Sequence, residues 1–157
     1  MIRKPFAAFG RVLYANYYEA GYTVDATTFG DSKTVLLFTE GNMIVRDKQT
    51  GEIVHQCVPG WINKGNYEDR VFRCVSEVPS VSWCYDPKVN HDYVPVIELV
   101  ALKQGQSVSL PEGTSLFLCH GTLAINGSNH VAPRQIAVRS ANAVATASTD
   151  VYGLTFK

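Results

Sequence analysis

Thr34-Val-Leu-Leu-Phe-Thr-Glu-Gly41-Asn-Met-Ile-Val45 is an apolar run, a glycine and a second apolar run. Thr114-Ser-Leu-Phe-Leu-Cys-His-Gly121-Thr-Leu-Ala-Ile125 repeats that order. Val, Ile, Phe and Thr favour the pleated backbone, so each copy predicts a strand, a tight turn and a strand, that is, a β-hairpin. A β unit that recurs within one chain points to a doubled architecture.

Working outward from the two glycines, further landmarks recur in the same order. Gly21-Tyr-Thr-Val24 is matched by Gly105-Gln-Ser-Val108, and Val58-Pro59 by Val131-Ala-Pro133. Glu77-Val78 is matched by Asp150-Val151, and Val81-Ser-Trp83 by Leu154-Thr-Phe156. The offset between copies drifts, as loop insertions would make it. Helical periodicity is absent, while Gly, Pro, Asn and Asp punctuate the chain roughly every 8–12 residues, the spacing of an all-β sandwich or barrel.

The expected organisation has four parts. Residues 1–18 form a first strand or an arm lying on a neighbour. Residues 19–85 form one unit, which closes with an antiparallel pair at 70–75 and 80–85. Residues 86–93, polar and Pro-containing, form a linker. Residues 94–157 form the second unit.

The 157 residues are 46% hydrophobic and 18% charged, which suffices for a real core. Fourteen basic and 14 acidic side chains leave no net charge, against a nucleic-acid binder that depends on phosphate contacts. No run approaches the roughly 20 apolar residues that span a bilayer, so no membrane partner is expected. Pro5, Gly10 and Arg11 leave too short an apolar core for a signal peptide, so synthesis and folding in the cytoplasm are expected. Cys57, Cys74, Cys84 and Cys119 form no C-x-x-C pair. Buried free thiols are the expected state, with Cys74 and Cys84 placed to face each other if 70–85 is a hairpin.

A lead-in glycine, a strand, a central glycine and a Pro-Gly turn into a further strand resemble the cupin superfamily of small jelly-roll barrels, in both units. The resemblance implies an all-β chain of two tandem small cupin-like jelly-roll barrels. It also supplies a metal frame against which this chain can be read. Thr27, Phe29 and Thr34 stand where the family's first motif has His, His and Glu, and Asn63 falls near its later His. In the second unit Pro111 and Gly113 stand at the His places. Thr, Phe, Pro and Gly side chains do not ligate Fe, Mn or Zn, so no metal or other cofactor is expected.

The remaining chemistry is sparse. His55, His91, His120 and His130 show no ligand spacing, and each reads as a surface or satisfied histidine. Cys119 and His120 are adjacent, so alternation places them on opposite faces of a strand, poor geometry for a nucleophile and its base. Tyr67-Glu68-Asp69 reads as a solvated loop. Tyr14, Tyr17, Tyr18 and Tyr22 are the candidate interface, because Tyr buries area while its hydroxyl stays wet; the alternative is that alternating members are core.

These features predict a non-enzymatic structural or binding module within a homo-oligomer or larger protein assembly. Its size, neutrality and reduced cysteines resemble accessory proteins of bacteriophage particles, capsid decoration or tail proteins, which implies a virion location. The alternatives are a metal-independent isomerase or epimerase acting on a sugar-like ligand, and a small-molecule sensor.

Overall fold

Gly41 does not turn a hairpin. In the computed structural model, which describes residues 1–25, 33–64, 69–141 and 143–157, the runs on either side of it belong to different sheets. Strand β4 (Val35–Glu40) pairs with β7 (Ile62–Lys64) and β9 (Ser80–Tyr85). Strand β5 (Met43–Asp47) pairs with β6 (Ile53–Cys57) and β8 (Arg70–Cys74). Gly41 is therefore a corner at which the chain passes from one sheet to the other. Its φ of +77° is left-handed, and a Cβ there would run into Ser80, whose Cα lies 2.7 Å away. Glycine meets both demands at once. The pairing slips between Phe38 and Glu40, a β-bulge that sharpens the bend.

The chain divides into two units, Met1–Val94 and Pro95–Lys157. Unit 1 adds β1 (Ile2–Ala8), β2 (Arg11–Tyr18) and β3 (Thr23–Asp25). Its sheets run β1-β2-β9-β4-β7 and β3-β8-β5-β6. Segment 1–18 is thus a strand pair within a sheet. The expected pair at 70–75 and 80–85 is a second correction: β8 and β9 lie in opposite sheets, joined by residues 75–79. Tyr18, Leu36, Phe38 and Cys84 from one sheet meet Val24, Met43, Val45, Cys57, Phe72 and Cys74 from the other. Phe38 stacks on Phe72 and Tyr18, at 6.2 and 6.4 Å between ring centroids, and meets the Trp61 ring edge-on at 5.7 Å. Burying these rings at about 25 cal/mol per Å² is the main stabilising term of the unit. Segment 86–93 is bonded to unit 1. Asn90, 3% exposed, accepts from Val12 N–H at 2.7 Å and donates to the Val12 and Asp86 carbonyls, both at 3.0 Å.

Unit 2 comprises β10 (Ile97–Leu102), β11 (Ser107–Leu110), β12 (Ser115–His120), β13 (Thr122–Ile125), β14 (Ser128–Val131), β15 (Arg134–Ala137), β16 (Ala143–Ala147) and β17 (Val151–Phe156). Its sheets run β10-β17-β12-β15 and β11-β16-β13-β14. With every strand number raised by eight, the unit 1 orders become these, and β1 alone has no counterpart. Gly121 repeats the corner, with φ +90° and a Cβ position filled by the Asp150 carbonyl. The bulge recurs between Leu118 and His120.

Gly21 N–H bonds the Cys74 carbonyl and Cys74 N–H the Tyr22 carbonyl, each at 2.9 Å. Gly105, Ala147 and Gln106 make the same two bonds, at 2.8 and 2.9 Å, so this lead-in match holds at the hydrogen-bond level. Two sequence matches shift. Val151 pairs with Leu102 as Ser80 pairs with Tyr18, so Val151 corresponds to Ser80 and not to Val78. Trp83 pairs with Leu37 as Leu154 pairs with Phe117, so Leu154 corresponds to Trp83 and not to Val81. The cause is loop length, since β8–β9 is joined by residues 75–79 and β16–β17 by residues 148–150. In each unit the last strand, β9 or β17, lies inside its sheet and pairs on both edges. The fold class is the expected one, all-β with no helix among the described residues.

Candidate functional site

The interiors of the two units carry different chemistry at matching positions. Register fixes the matches: Tyr14, Asn16, Ser82 and Cys84 correspond to Glu98, Val100, Gly153 and Thr155. In unit 1 these places hold a polar network. Arg3 of β1 donates from Nε to Asn16 Oδ1 at 3.0 Å and from Nη2 to Cys84 Sγ at 3.6 Å, and its guanidinium lies 4.3 Å from the Tyr14 ring centroid. Asn16 Nδ2 donates to Ser82 Oγ at 3.2 Å, and the Ser82 and Tyr18 hydroxyls share a 2.8 Å bond. Asn16, Tyr18, Ser82 and Cys84 are all inaccessible. Burial outweighs the Ser82 hydrogen bond and raises the Tyr18 hydroxyl far above its usual range, so Tyr18 stays a neutral phenol. Burial likewise pushes Cys84 up to about 12, against the pull of Arg3.

In unit 2, where β1 has no counterpart, the same region is a cleft of about 400 Å³. Glu98, Val100, Val108, Glu112 and Thr155 line it, together with Pro111 and Gly113. A Cβ on Gly113 would meet nothing within 4 Å. The wall is mostly apolar with a few carboxylate and hydroxyl groups, the usual make-up of a small-ligand pocket, and its size is near the low end of the roughly 300–1,000 Å³ such pockets span. Lys157 lies on the same wall, where the two carboxylates outnumber it.

The donors do not suit the metal that the cupin frame implies. Pro111 and Gly113 have no ligating side chain, and Thr34 and Asn63 are not the His and carboxylate the frame needs. Thr27 and Phe29 lie outside the described residues. Among the described residues no three His, Cys, Asp or Glu side chains are grouped to hold an ion.

The other sequence candidates are scattered. His55 is exposed on β6 beside Trp61, and His91 sits in the 86–93 loop with φ +55°. His120 lies against Tyr152, with ring centroids 5.8 Å apart. His130 Nδ1 is buried with no hydrogen-bond partner among the described residues, and burial, aided by Arg134, lowers its pKa. Cys119 is enclosed at the bulge, where burial raises its thiol pKa well above the usual value. Tyr67 and Glu68 lie outside the described residues, and the Asp69 carbonyl accepts from Lys48 N–H at 2.9 Å. All four cysteines are buried and free. Cys74 and Cys84 belong to opposite sheets, so the hairpin that would align them does not exist.

Of the four candidate interface tyrosines, Tyr18 is wholly enclosed and belongs to the core. Tyr14 and Tyr22 are half-buried and pack against that core. Tyr17 is half-buried on the other face of β2, with the Lys4 ammonium 5.3 Å from its ring centroid. Arg3, Glu98 and Glu112 were not singled out from the sequence. The available signal was Glu98 itself, a lone charge in the otherwise apolar run Val96-Ile-Glu-Leu-Val-Ala-Leu102.

A scan against protein-family models and a search of curated proteins find no match for this chain. Solved structures do match its fold. HutD from Pseudomonas fluorescens is 11% identical, aligning 99% of this chain with 93% of that one at a TM-score of 0.62. A conserved protein from Pseudomonas aeruginosa is 11% identical, over 99% and 89%, with a TM-score of 0.55. YhaK from Escherichia coli is 14% identical, over 99% and 92%, with a TM-score of 0.52. These are cupin-type jelly-roll proteins, and the fold of this chain is theirs. The phage resemblance finds no support among them.

Proposed function

We propose that this chain is a binding module of the cupin-type fold, in which unit 1 is a packed scaffold and the cleft of unit 2 is the ligand seat. The ligand is an organic group of small-metabolite size, apolar along its body and hydrogen-bond-donating or cationic where it meets Glu98 and Glu112. The carrying observation is that the cleft opens at Pro111 and Gly113, the places where the cupin frame would set metal ligands. The volume needed for a ligand is kept there while the metal donors are not. Among the described residues no histidine lines this cleft, so the imidazole that most often serves as general acid or base is not at hand for an isomerase. Binding without turnover is therefore favoured over the isomerase. The role within a homo-oligomer, including one in a virion, remains a proposal independent of the cleft, and sedimentation tests it: a concentration-independent monomer rejects it.

A fragment library screened by ligand-observed NMR tests the binding reading. The expected result is a set of organic hits lost on Val100→Trp, which fills the cleft. Thr155→Leu is a smaller filler for the case in which Val100→Trp does not fold. A library with no hits, or hits indifferent to both fillers, overturns the reading.

A further inference from the structure

The filled place in unit 1 says what the empty place in unit 2 is shaped to hold. The Arg3 guanidinium rests against Tyr14, Asn16 and Cys84. Their counterparts Glu98, Val100 and Thr155 all line the cleft. Two of the three changes favour a guanidinium from outside. Glu98 puts a carboxylate where Tyr14 offers a ring face, and Thr155 puts a hydroxyl acceptor where Cys84 offers a weakly accepting sulfur. Glu112 adds a second carboxylate on the wall. In unit 1 the guanidinium belongs to the chain itself, and among the described residues no carboxylate pairs with it. In unit 2 the carboxylates are present and the guanidinium is not.

We propose that the cleft of unit 2 is a guanidinium seat, with Glu98 as its anchor and Glu112 as its second acceptor. This rests on the reading of the cleft as a ligand seat and names the ligand's charged group. That group could come from a free guanidino compound or from an arginine on an extended segment. The backbone of β10 distinguishes the two sources. Val96 and Lys157 exchange both backbone hydrogen bonds, at 3.1 and 2.9 Å. By antiparallel alternation Glu98, Val100 and Leu102 also point their backbone groups at β17, and those of Leu99 and Ala101 point away from it. In unit 1 the matching positions are Ala15 and Tyr17, which face Lys4 and Ile2 of β1 across the ladder, with Arg3 opposite Asn16 between them. An arginine delivered on a strand would use Leu99 and Ala101 in the same way.

Calorimetric titration with three probes tests the proposal: butylguanidinium, its neutral isostere butylurea, and the capped tripeptide acetyl-Ile-Arg-Lys-amide. Butylguanidinium is expected to bind about tenfold tighter than butylurea, the effect of charge-assisted hydrogen bonds to a carboxylate. Glu98→Gln should abolish that preference and Glu112→Gln should reduce it. Both are exposed surface positions whose substitution leaves the core alone. A tripeptide that binds tighter than butylguanidinium, with the gain lost on Ala101→Pro, assigns the seat to an extended segment. Equal affinities assign it to a free compound. Butylurea matching butylguanidinium, or a preference that survives both Gln variants, overturns the guanidinium seat and leaves the cleft reading standing. No binding by any of the three probes, in a protein that also yields no fragment hits, overturns both.

Discussion

Replacing Gly41 with alanine should cost far more than the same change at Gly51, although both residues have nearly the same φ, +77° and +73°. An alanine at either position sits in the left-handed region, at a cost of about 1 kcal/mol. At Gly51 nothing lies within 4 Å of the new Cβ, so that is the whole effect. At Gly41 the Cβ enters the space of Ser80, with its Cα at 2.7 Å and its Cβ at 2.9 Å. Ser80 has little room to withdraw. It is fully buried, accepts from Asn42 N–H at 3.1 Å and lies 3.1 Å from the Cys74 sulfur. Overpacking of this kind adds about 1–3 kcal/mol, for a total of about 2–4 kcal/mol. Trp61 and Trp83 both lie in unit 1, so urea unfolding followed by tryptophan fluorescence reads the unit directly. With an m-value near 2 kcal/mol/M, the midpoint should fall by roughly 1–2 M for Gly41→Ala and about 0.5 M for Gly51→Ala. Equal shifts would mean that the corner does not press on Ser80 and that the sheet crossing is held some other way.

The thiols should be protected together: all four are buried, so mass spectrometry after brief alkylation at pH 8 should find none modified in the folded chain and all four once urea unfolds it, and modification of Cys74 without urea would show that its cover of Ser76 and Ser80 opens. Asn90→Ala should lower stability by about 2–3 kcal/mol, because it strands the Val12 backbone groups it now bridges, and thermal unfolding measures the loss. Tyr18→Phe should cost about 1 kcal/mol, the net worth of its hydroxyl's bond to Ser82, and a cost near zero would show that bond to be idle. Thr50 and Gln49 N–H groups, with Arg70, hold the Asp47 carboxyl below its ordinary pKa. Its contribution is present above the ordinary Asp range and fades as pH falls below it, so Asp47→Asn should flatten the acid limb of a stability–pH curve.

The duplicated strand pattern was legible because glycines with positive φ recur at fixed points of a jelly roll. Gly21 and Gly105, and Gly41 and Gly121, occupy the same backbone positions in both units. What Gly41 does was not legible, since a hairpin and a corner between sheets both require a left-handed residue between two apolar runs. Only the partner strands separate the two, and those lie far away in sequence. The same gap misplaced Leu154, because nothing local reveals that the loop before it is shorter than residues 75–79. The cleft was harder still. It arises from what β1 fills in one unit and nothing fills in the other, a difference between Arg3 and a strand that unit 2 lacks. The tyrosine stretch shows the limit of residue type: Tyr18 resembles its neighbours in sequence, yet it alone is sealed against Ser82 and Phe38.

The central placement of β9 and β17 sets the order in which this chain can fold as it is made. Strand β9 joins β2 to β4, and β17 joins β10 to β12, so neither of these two sheets can close before its last strand is available. On a ribosome, unit 1 must wait until Tyr85 has cleared the exit tunnel. Unit 2 must likewise wait for Phe156. A stop codon at position 151 would remove the middle of a sheet, and its expected product is degraded chain in place of a shortened protein.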